Sequence, residues 1–122
     1  MIGSLDDVIK YGNSPTFIMG RLEVFRKDYP VRLNFKEVND IIRHYGEGWR
    51  LPTTEEGLYF ISMSDLGIGK FNKENYHRVG YWTSDHFDSV TDQLRSGIYI
   101  DHRRSYGYNI VNTCLVRLVR DI

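Results

Sequence analysis

The first half of the chain carries apolar residues at intervals of three and four, a spacing that predicts two main helices. The first helix is expected to follow Asn34, because Asn34 can cap it and Glu37 stands at the capping-box position. Gly46 is expected to end this helix in a left-handed conformation. One face carries the apolar residues Phe35, Val38, Ile41, Ile42 and Tyr45.

The second helix is expected to follow Thr53, with Glu56 as the capping-box partner, since Pro52 keeps the residue before it out of the helical conformation. Gly57 lies inside this helix, where glycine costs about 0.5–1 kcal/mol relative to alanine. That cost predicts close packing of the helix backbone against a neighbour. The residues expected to face the core are Leu58 and Ile61, joined by Tyr59 and Phe60.

Alternation of apolar and polar residues predicts strands on both sides of the helices. One strand is expected over residues 16–25. After the helices, strands are expected at 81–84, 94–101 and 113–120, with a turn or short strand at 105–110. Residues 64–78 show no clear period and predict a long surface loop, and Ser4 resembles the cap of a short helix. Two helices ahead of short antiparallel strands indicate an α+β domain.

Length and charge narrow the class of protein. The 122 residues suit one domain, and 16 basic residues balance 16 acidic ones. Zero net charge argues against nucleic-acid or anionic-membrane partners. No apolar stretch is long enough for membrane insertion, and the first residues lack the features of a secretory signal. Cytoplasmic synthesis is therefore the default expectation, with release or secretion left open.

The aromatic content suggests a recognition surface. Tyrosine occurs nine times, and tyrosine offers a large, stiff contact area with a polar tip, although small β-rich domains also use it within their sheets. The richest stretch spans residues 99–109. Its candidate ligand-binding residues are Tyr99, Asp101, His102, Arg103, Arg104, Tyr106, Tyr108 and Asn109. An ordinary polar hairpin is the alternative. Replacing Tyr106 and Tyr108 together is expected to leave stability nearly intact.

The sequence evidence for a catalytic or metal site is weaker than that for a recognition surface. Asp85 and His86 are adjacent, as are Asp101 and His102, and adjacent side chains on a strand point to opposite faces. Ser84 and His86 can share a face, but spacing alone does not make a triad. The histidines and acids show no recognisable metal-ligand spacing, and the lone Cys114 lies in an apolar run, which predicts a buried, inert thiol. No catalytic residue, metal or cofactor is therefore expected.

The segment from Gly48 to Glu56 is expected to be a structural hinge. Trp49 and Trp82 are large apolar side chains suited to the core. Arg50 and Arg117 lie in apolar contexts and need carboxylate or carbonyl partners, so one of them is expected to clamp Glu55, Glu56 or backbone carbonyls. An anion site is the alternative. Replacing Trp49 or Arg50 with alanine is expected to lower stability by about 3–5 kcal/mol if the side chain is buried.

Three motifs stand in the order seen in a known bacterial family. Residues 49–53 read Trp-Arg-Leu-Pro-Thr and are followed by glutamates, residues 81–84 read Tyr-Trp-Thr-Ser, and residues 116–120 read Val-Arg-Leu-Val-Arg. Over about residues 34–120 the chain resembles the family long labelled only as a domain of unknown function. That family includes the C-terminal domain of a collagen-like adhesin.

The resemblance implies a variant of the C-type lectin-like fold. The expected fold is therefore an α+β, C-type lectin-like domain over residues 1–122, with two main helices and short antiparallel strands. A related Arg-Leu-Pro-Thr segment occurs in the formylglycine-generating enzyme superfamily and in the variable proteins of diversity-generating retroelements, which share the fold and differ in function. The chain departs from the family at Gly57, where an apolar residue is usual. It also lacks the calcium-lectin signatures and the paired cysteines of those enzymes.

These observations predict a non-enzymatic binding module that recognises a protein or glycan through a loop-rich, tyrosine-rich face. An adhesin, a phage component or an inhibitor would use such a module. One alternative is a structural domain that forms a homo-oligomer through the same face. The other is an enzyme or metal-dependent site on the same scaffold.

Overall fold

The computed structural model describes residues 14–72, 80–87 and 92–122, so the helix expected near Ser4 lies outside the described residues. In chain order the elements are β1 (Thr16–Met19), β2 (Leu22–Phe25), α1 (Phe35–Tyr45), α2 (Thr54–Asp65), β3 (Tyr81–His86), β4 (Leu94–Tyr99), β5 (Arg104–Asn109) and β6 (Val119–Asp121). The strands form two antiparallel sheets, ordered β1-β2-β6 and β3-β4-β5. The prediction of an α+β fold is confirmed.

The first sheet corrects the single strand expected over residues 16–25. Met19 pairs with Leu22, so the chain reverses through a two-residue turn at Gly20 and Arg21. Gly20 has a φ of +58°, which a glycine adopts without steric cost. Because the apolar alternation continues across this turn, the sequence pattern gives no sign that the chain reverses there.

Helix α1 confirms both of its predicted ends. The Asn34 side chain accepts a hydrogen bond from the Glu37 amide, and Glu37 Oε1 accepts one from the Asn34 amide, each at 2.9 Å. Gly46 ends the helix at the predicted residue, but its combination of a φ of +58° with a ψ of −154° differs from the left-handed helical conformation that was expected; its amide donates to the carbonyl of Ile42 at 2.9 Å. Of the predicted apolar face, Val38 is fully buried while Tyr45 is 39% exposed.

Helix α2 has the predicted capping box between Thr53 and Glu56. Close packing at Gly57 is also confirmed, because a Cβ there would stand 2.7 Å from Cγ1 of Ile98. The prediction that Leu58 faces the core is wrong. The buried face leaves Leu58 and Tyr59 exposed; it consists of Gly57, Phe60, Ile61, Met63 and Ser64.

The end of the chain differs from the long strand expected over residues 113–120. Only Val119–Asp121 forms a strand, and the segment before it makes isolated bridges instead. Cys114 pairs with Leu33, and Leu115 pairs with Tyr81 of the other sheet. Residues 116–119 are all buried, because this segment passes between the two sheets.

One further expectation is corrected in the loop after α2, and one pair of alternatives is resolved in β5. The loop expected over residues 64–78 begins inside α2, and Phe71 is buried at 6% exposure and stacks on Phe60 with ring centroids 4.5 Å apart. Residues 73–79 lie outside the described part of the chain. The turn or short strand expected at 105–110 is a strand, Arg104–Asn109.

The described residues form two apolar core clusters, and α2 packs against β3 and β4 and contributes Phe60, Ile61 and Met63 to the first cluster. Trp82 is fully buried in the second cluster, where its Nε1 donates to the carbonyl of Leu33 at 2.7 Å. Trp49 lies in the same cluster at 8% exposure. The predicted core role of both tryptophans is confirmed. Within the described residues, no helix has the length and apolar character needed to cross a membrane.

Candidate functional site

The candidate surface of residues 99–109 is the β4–β5 hairpin. Tyr99 pairs with Arg104, and residues 100–103 form the turn, with Arg103 at a φ of +57°. Four predicted ligand-binding residues are exposed at or beside this turn: Asp101, His102, Arg103 and Arg104. Two more, Tyr106 and Asn109, are half-buried in β5.

The expectation that Tyr99 and Tyr108 lie on the surface is wrong. Tyr99 is 5% exposed and Tyr108 is 9% exposed. The Tyr108 ring fills the space over Gly97, where a Cβ would stand 2.4 Å from a ring carbon. It also meets Trp82 edge-on, with centroids 5.9 Å apart. Both rings therefore pack in the core beside the hairpin and are not available for contact with a partner.

An aromatic stack connects these buried rings to the surface. Tyr99 contacts Tyr108 and also Tyr106, with ring centroids 5.7 Å and 4.6 Å apart. The guanidinium carbon of Arg104 lies 4.5 Å from the centroid of the Tyr106 ring, which is within the range of a cation–π contact. His102 Nδ1 lies 3.3 Å from the Tyr106 hydroxyl. Each of these surface side chains therefore has a neighbour that restricts its rotamers.

The turn of the hairpin is attached to helix α2. Arg103 Nη1 donates to both carboxylate oxygens of Asp65, at 3.0 and 2.9 Å. Both side chains are more than half exposed, so the ion pair adds little stability and mainly fixes the position of the turn. Leu66, the residue after Asp65, is 75% exposed and extends the surface with an apolar side chain. We call His102, Arg103, Arg104 and Tyr106 the hairpin patch.

The sequence did not identify Asp65 as part of this site. Asp65 falls in a stretch whose lack of period predicted a loop, and it stands 38 residues from Arg103. The only local signal is an acidic residue near the end of an apolar helix pattern. The hairpin patch carries two arginines; Asp65 pairs with Arg103, and the exposed Asp101 of the same turn further lowers the net positive charge. The Arg104 guanidinium is therefore the cation that an acidic group of a partner would complement.

Arg50 is a structural clamp, as predicted. Its Nη1 and Nη2 donate to the two carboxylate oxygens of Glu56, at 2.6 and 2.9 Å, and Nη2 also reaches Asp121 at 3.0 Å. The hydrogen bond from Arg50 is the largest cause that holds the pKa of Glu56 below its ordinary value. Arg50 therefore joins the start of α2 to β6.

Arg117 is a second and deeper clamp. Its guanidinium is fully buried and donates to Asp28 Oδ1 from Nε at 2.9 Å and from Nη2 at 2.7 Å. Its Nη1 donates to the carbonyls of Phe25 and Gly69, at 3.0 and 2.7 Å. The Tyr81 hydroxyl also donates to Asp28, and burial followed by that neighbouring charge raises the pKa of Tyr81. The predicted carbonyl partners are present, and the carboxylate partner is Asp28.

The catalytic candidates Ser84 and His86 have separate partners in the structure. The Ser84 hydroxyl faces the carbonyl of Pro52 at 3.4 Å, whereas His86 Nδ1 lies 3.5 Å from Asp92 Oδ1. Cys114 is buried, as predicted, and burial raises the pKa of its thiol to about 12. Within residues 14–72, 80–87 and 92–122, no group of three or more histidine, cysteine or acidic side chains is placed to hold a metal ion.

No protein-family model and no curated protein matches this chain.

Proposed function

We propose that this protein is a non-enzymatic binding module that recognises a protein or glycan through the hairpin patch. The observation that carries the proposal is the stack in which Arg104 lies over the Tyr106 ring and Tyr99 packs against that ring from the core side. Tyrosine and arginine are the residue types most enriched among the contacts that dominate binding energy. In this hairpin they occupy neighbouring positions at the end of a sheet.

The stack lowers the entropic penalty of binding. An immobilised flexible side chain typically costs about 0.5–1.5 kcal/mol on association. Arg104 and Tyr106 already restrict each other, and Asp65 holds Arg103 in place. A partner would therefore meet side chains that are ordered before it arrives, which is the arrangement that favours a specific interface.

The proposed fold is the C-type lectin-like fold implied by the resemblance. Three observations support it: the two helices of the described residues, the antiparallel sheets, and the pairing of β6 with β2 near the start of the described chain. The motif residues also have structural partners of their own, since the Arg50 backbone pairs with Val119 in both directions, at 2.8 and 2.9 Å. The family motifs thus serve the scaffold, while the hairpin patch lies between them and is free to carry specificity.

The hairpin patch favours a protein over a glycan. Sugars commonly stack on an open aromatic face, and Arg104 covers one face of the Tyr106 ring. The exposed Leu66 beside Asp65 adds an apolar contact next to the charged ones, a combination typical of protein interfaces. We therefore propose an acidic protein surface as the first partner class.

A second candidate function is self-association. β5 is an edge strand of the β3-β4-β5 sheet, and an edge strand can pair with a strand of another chain. The same hairpin would then form a dimer interface. Solution mass distinguishes this outcome from binding to a different protein.

The test compares wild type with an Arg104→Ala, Tyr106→Ala double variant. Its matched control is Arg43→Ala with Tyr59→Ala, which removes the same residue types from exposed positions on the two helices. Each protein is used as bait in a lysate from the native setting, screened on a glycan array, and measured for mass in solution. A partner retained by wild type and by the control, and lost by the hairpin variant, is the expected result.

Three results would count against the proposal in different ways. Equal capture by the hairpin variant would move the interface elsewhere on the molecule. A wild-type dimer that dissociates only in the hairpin variant would establish self-association. Glycan binding without protein capture would replace the acidic protein with a sugar ligand. In every case thermal unfolding of both variants must match wild type within a few degrees, since about 1 kcal/mol shifts the midpoint by 4–8 °C in a domain near this size.

A further inference from the structure

A pocket of about 720 Å³ opens between two loops on a part of the molecule that shares no residue with the hairpin patch. One wall is formed by residues 26–30, after β2, and the other by residues 67–70, after α2. Val116 and Leu118 contribute to its floor. Pockets that bind small molecules usually measure roughly 300–1,000 Å³. We propose that this pocket binds a small organic anion with an apolar or aromatic body.

The walls of the pocket are held by one buried side chain. Arg117 donates to Asp28 and to the Phe25 carbonyl on one side, and to the Gly69 carbonyl on the other. The Tyr29 amide also donates to the carbonyl of Val116 at 2.8 Å, which ties the first wall to the floor. The pocket is therefore preformed, and a ligand would not have to order its walls.

The backbone at the second wall is strained in a way that positions a cation. Lys70 has a φ of +47°, an uncommon conformation for a residue with a side chain. Arg117 holds both carbonyls of this turn, that of Gly69 at 2.7 Å and that of Lys70 at 3.4 Å. The scaffold thus maintains a conformation that places the exposed Lys70 among the residues lining the pocket.

The charge of the lining favours an anion. Arg26, Lys27 and Lys70 line the pocket, and Asp28 is the only acidic residue among the described lining. The Asp28 carboxylate already accepts from Arg117 and from the Tyr81 hydroxyl. Its negative charge is thereby neutralised within the fold, and both lysines of the lining are exposed. A ligand with a carboxylate, phosphate or sulfonate would complement them.

The rest of the lining selects for the body of the ligand. Phe25, Val116 and Leu118 are apolar, while Tyr29 and Tyr45 add aromatic surface. This lining would bury an aliphatic or aromatic group, and the cations would hold the acidic group near solvent. An inorganic ion alone would leave the apolar part of the pocket unfilled, so we expect it to bind more weakly than an organic anion.

The test uses anilinonaphthalene sulfonate, a fluorescent aromatic anion, with phenyl-naphthylamine as the neutral probe of similar shape. Wild type is expected to bind one sulfonate probe per chain, with weaker binding of the neutral probe. Phenyl phosphate and benzoate then compete, and their ranking identifies the preferred acid. Inorganic phosphate is expected to compete poorly.

Two sets of variants locate the probe. Lys27→Gln and Lys70→Gln should each weaken the sulfonate probe about fivefold, as loss of one partly solvated charge contact predicts, while the exposed helix residue Lys36 changed to glutamine should not. Ile68→Trp should fill the pocket and reduce binding of both probes. Val111→Trp, at an exposed position outside the lining, is its control.

The proposal is overturned if the sulfonate probe fails to saturate at one site per chain. It is also overturned if Lys36→Gln weakens binding as much as Lys70→Gln does, or if Ile68→Trp leaves affinity unchanged. Because none of these residues belongs to the hairpin patch, failure here would leave the proposed partner-binding function standing. Loss of partner capture by the hairpin variant would likewise leave this pocket untouched.

Discussion

Arg117 and Asp28 form an ion pair in the interior, with Nη2 and Oδ1 2.7 Å apart and 89 residues of chain between them. The Arg117 side chain is fully buried and Asp28 is 20% exposed. The pair joins the loop after β2 to the segment that precedes β6. It also brings the Phe71 ring under the guanidinium, with 4.1 Å between the guanidinium carbon and the ring centroid. The contact therefore joins the first part of the described chain to its last segment, in addition to the pairing of β2 with β6.

Asp28→Ala should destabilise the protein strongly. The substitution leaves the Arg117 charge buried without its carboxylate, and breaking a buried ion pair from one side typically costs about 3–5 kcal/mol. Asp40→Ala is the matched control, because Asp40 pairs with Arg43 on the exposed face of α1 and such pairs contribute about 0–1 kcal/mol. Urea unfolding of both variants measures the difference. Similar small losses in the two would show that Arg117 finds other partners.

Glu56→Gln should alter the pH dependence of stability. The pKa of Glu56 is lowered in the folded protein, chiefly by the hydrogen bond from Arg50. Its contribution is therefore complete above the ordinary glutamate pKa and is lost as pH falls through the lowered folded value. Glutamine retains the capping box and removes only the charge. We expect a loss of about 1 kcal/mol at neutral pH that disappears in acid.

The measurement for Glu56 is urea unfolding of wild type and variant at several pH values. Glu37→Gln is the control, since Glu37 holds the same capping-box position in α1. Wild type will also lose stability in acid through Glu23, whose pKa is lowered first by Thr16 and then by Arg120. Only the difference between wild type and variant therefore reports on Glu56. A difference that stays constant with pH would argue against the Arg50 contact.

Trp49→Ala should cost about 3–5 kcal/mol, the range for truncating a buried aromatic residue. Trp49 stacks on Phe25 with centroids 4.3 Å apart, and the guanidinium carbon of Arg120 lies 4.6 Å from the Trp49 ring centroid. Tyr59→Ala, on the exposed face of α2, should change stability by about 0.5 kcal/mol or less. Thermal and urea unfolding compare the two. Normal stability of the Trp49 variant together with lost partner binding would place this segment in a functional site.

Tyr106 and Tyr108 should separate into a binding role and a structural role. Tyr108→Ala empties the space between Gly97 and Trp82 and should cost about 3–5 kcal/mol, which corrects the expectation that replacing both tyrosines leaves stability nearly intact. Tyr106→Ala should cost about 1 kcal/mol or less, because its ring is half-buried at the edge of the stack. Unfolding measurements on the two single variants test this. Equal losses would mean that the aromatic stack is a single structural unit.

The starts of both helices were predictable because the capping signals are local in sequence. Asn34 with Glu37, and Thr53 with Glu56, satisfy backbone amides within one turn, so four residues of sequence contain the whole interaction. The partner of Arg117 was not predictable in this way. Asp28 lies in a polar turn far away in sequence, and only the path of the segment before β6 brings the two side chains together.

The residue types of the candidate surface were predictable from the sequence, but the burial of each residue was not. Alternation along β5 places Arg104, Tyr106 and Tyr108 on one face of the sheet. Which of them is buried depends on Gly97 and Trp82, which occupy neighbouring strands, and strand pairing is a long-range property. The pocket between residues 26–30 and 67–70 had no local signal at all, since it exists only when Arg117 joins those two loops.

Gly57→Ala should destabilise the protein although alanine is the better helix former. Alanine inside a helix gains about 0.5–1 kcal/mol over glycine. Its Cβ would stand 2.7 Å from Cγ1 of Ile98 and 3.5 Å from Cγ2 of Thr83, so either α2 or the sheet must shift. Overpacking of this kind typically costs about 1–3 kcal/mol, which exceeds the gain in propensity.

Ser62→Ala is the control for that substitution, because Ser62 lies on the exposed face of the same helix. It should leave stability unchanged or raise it slightly, since alanine has the higher helix propensity. The difference in urea unfolding between the two variants separates the effect of close packing from the effect of helix propensity. If Gly57→Ala were as stable as Ser62→Ala, then α2 would tolerate a larger separation from β4.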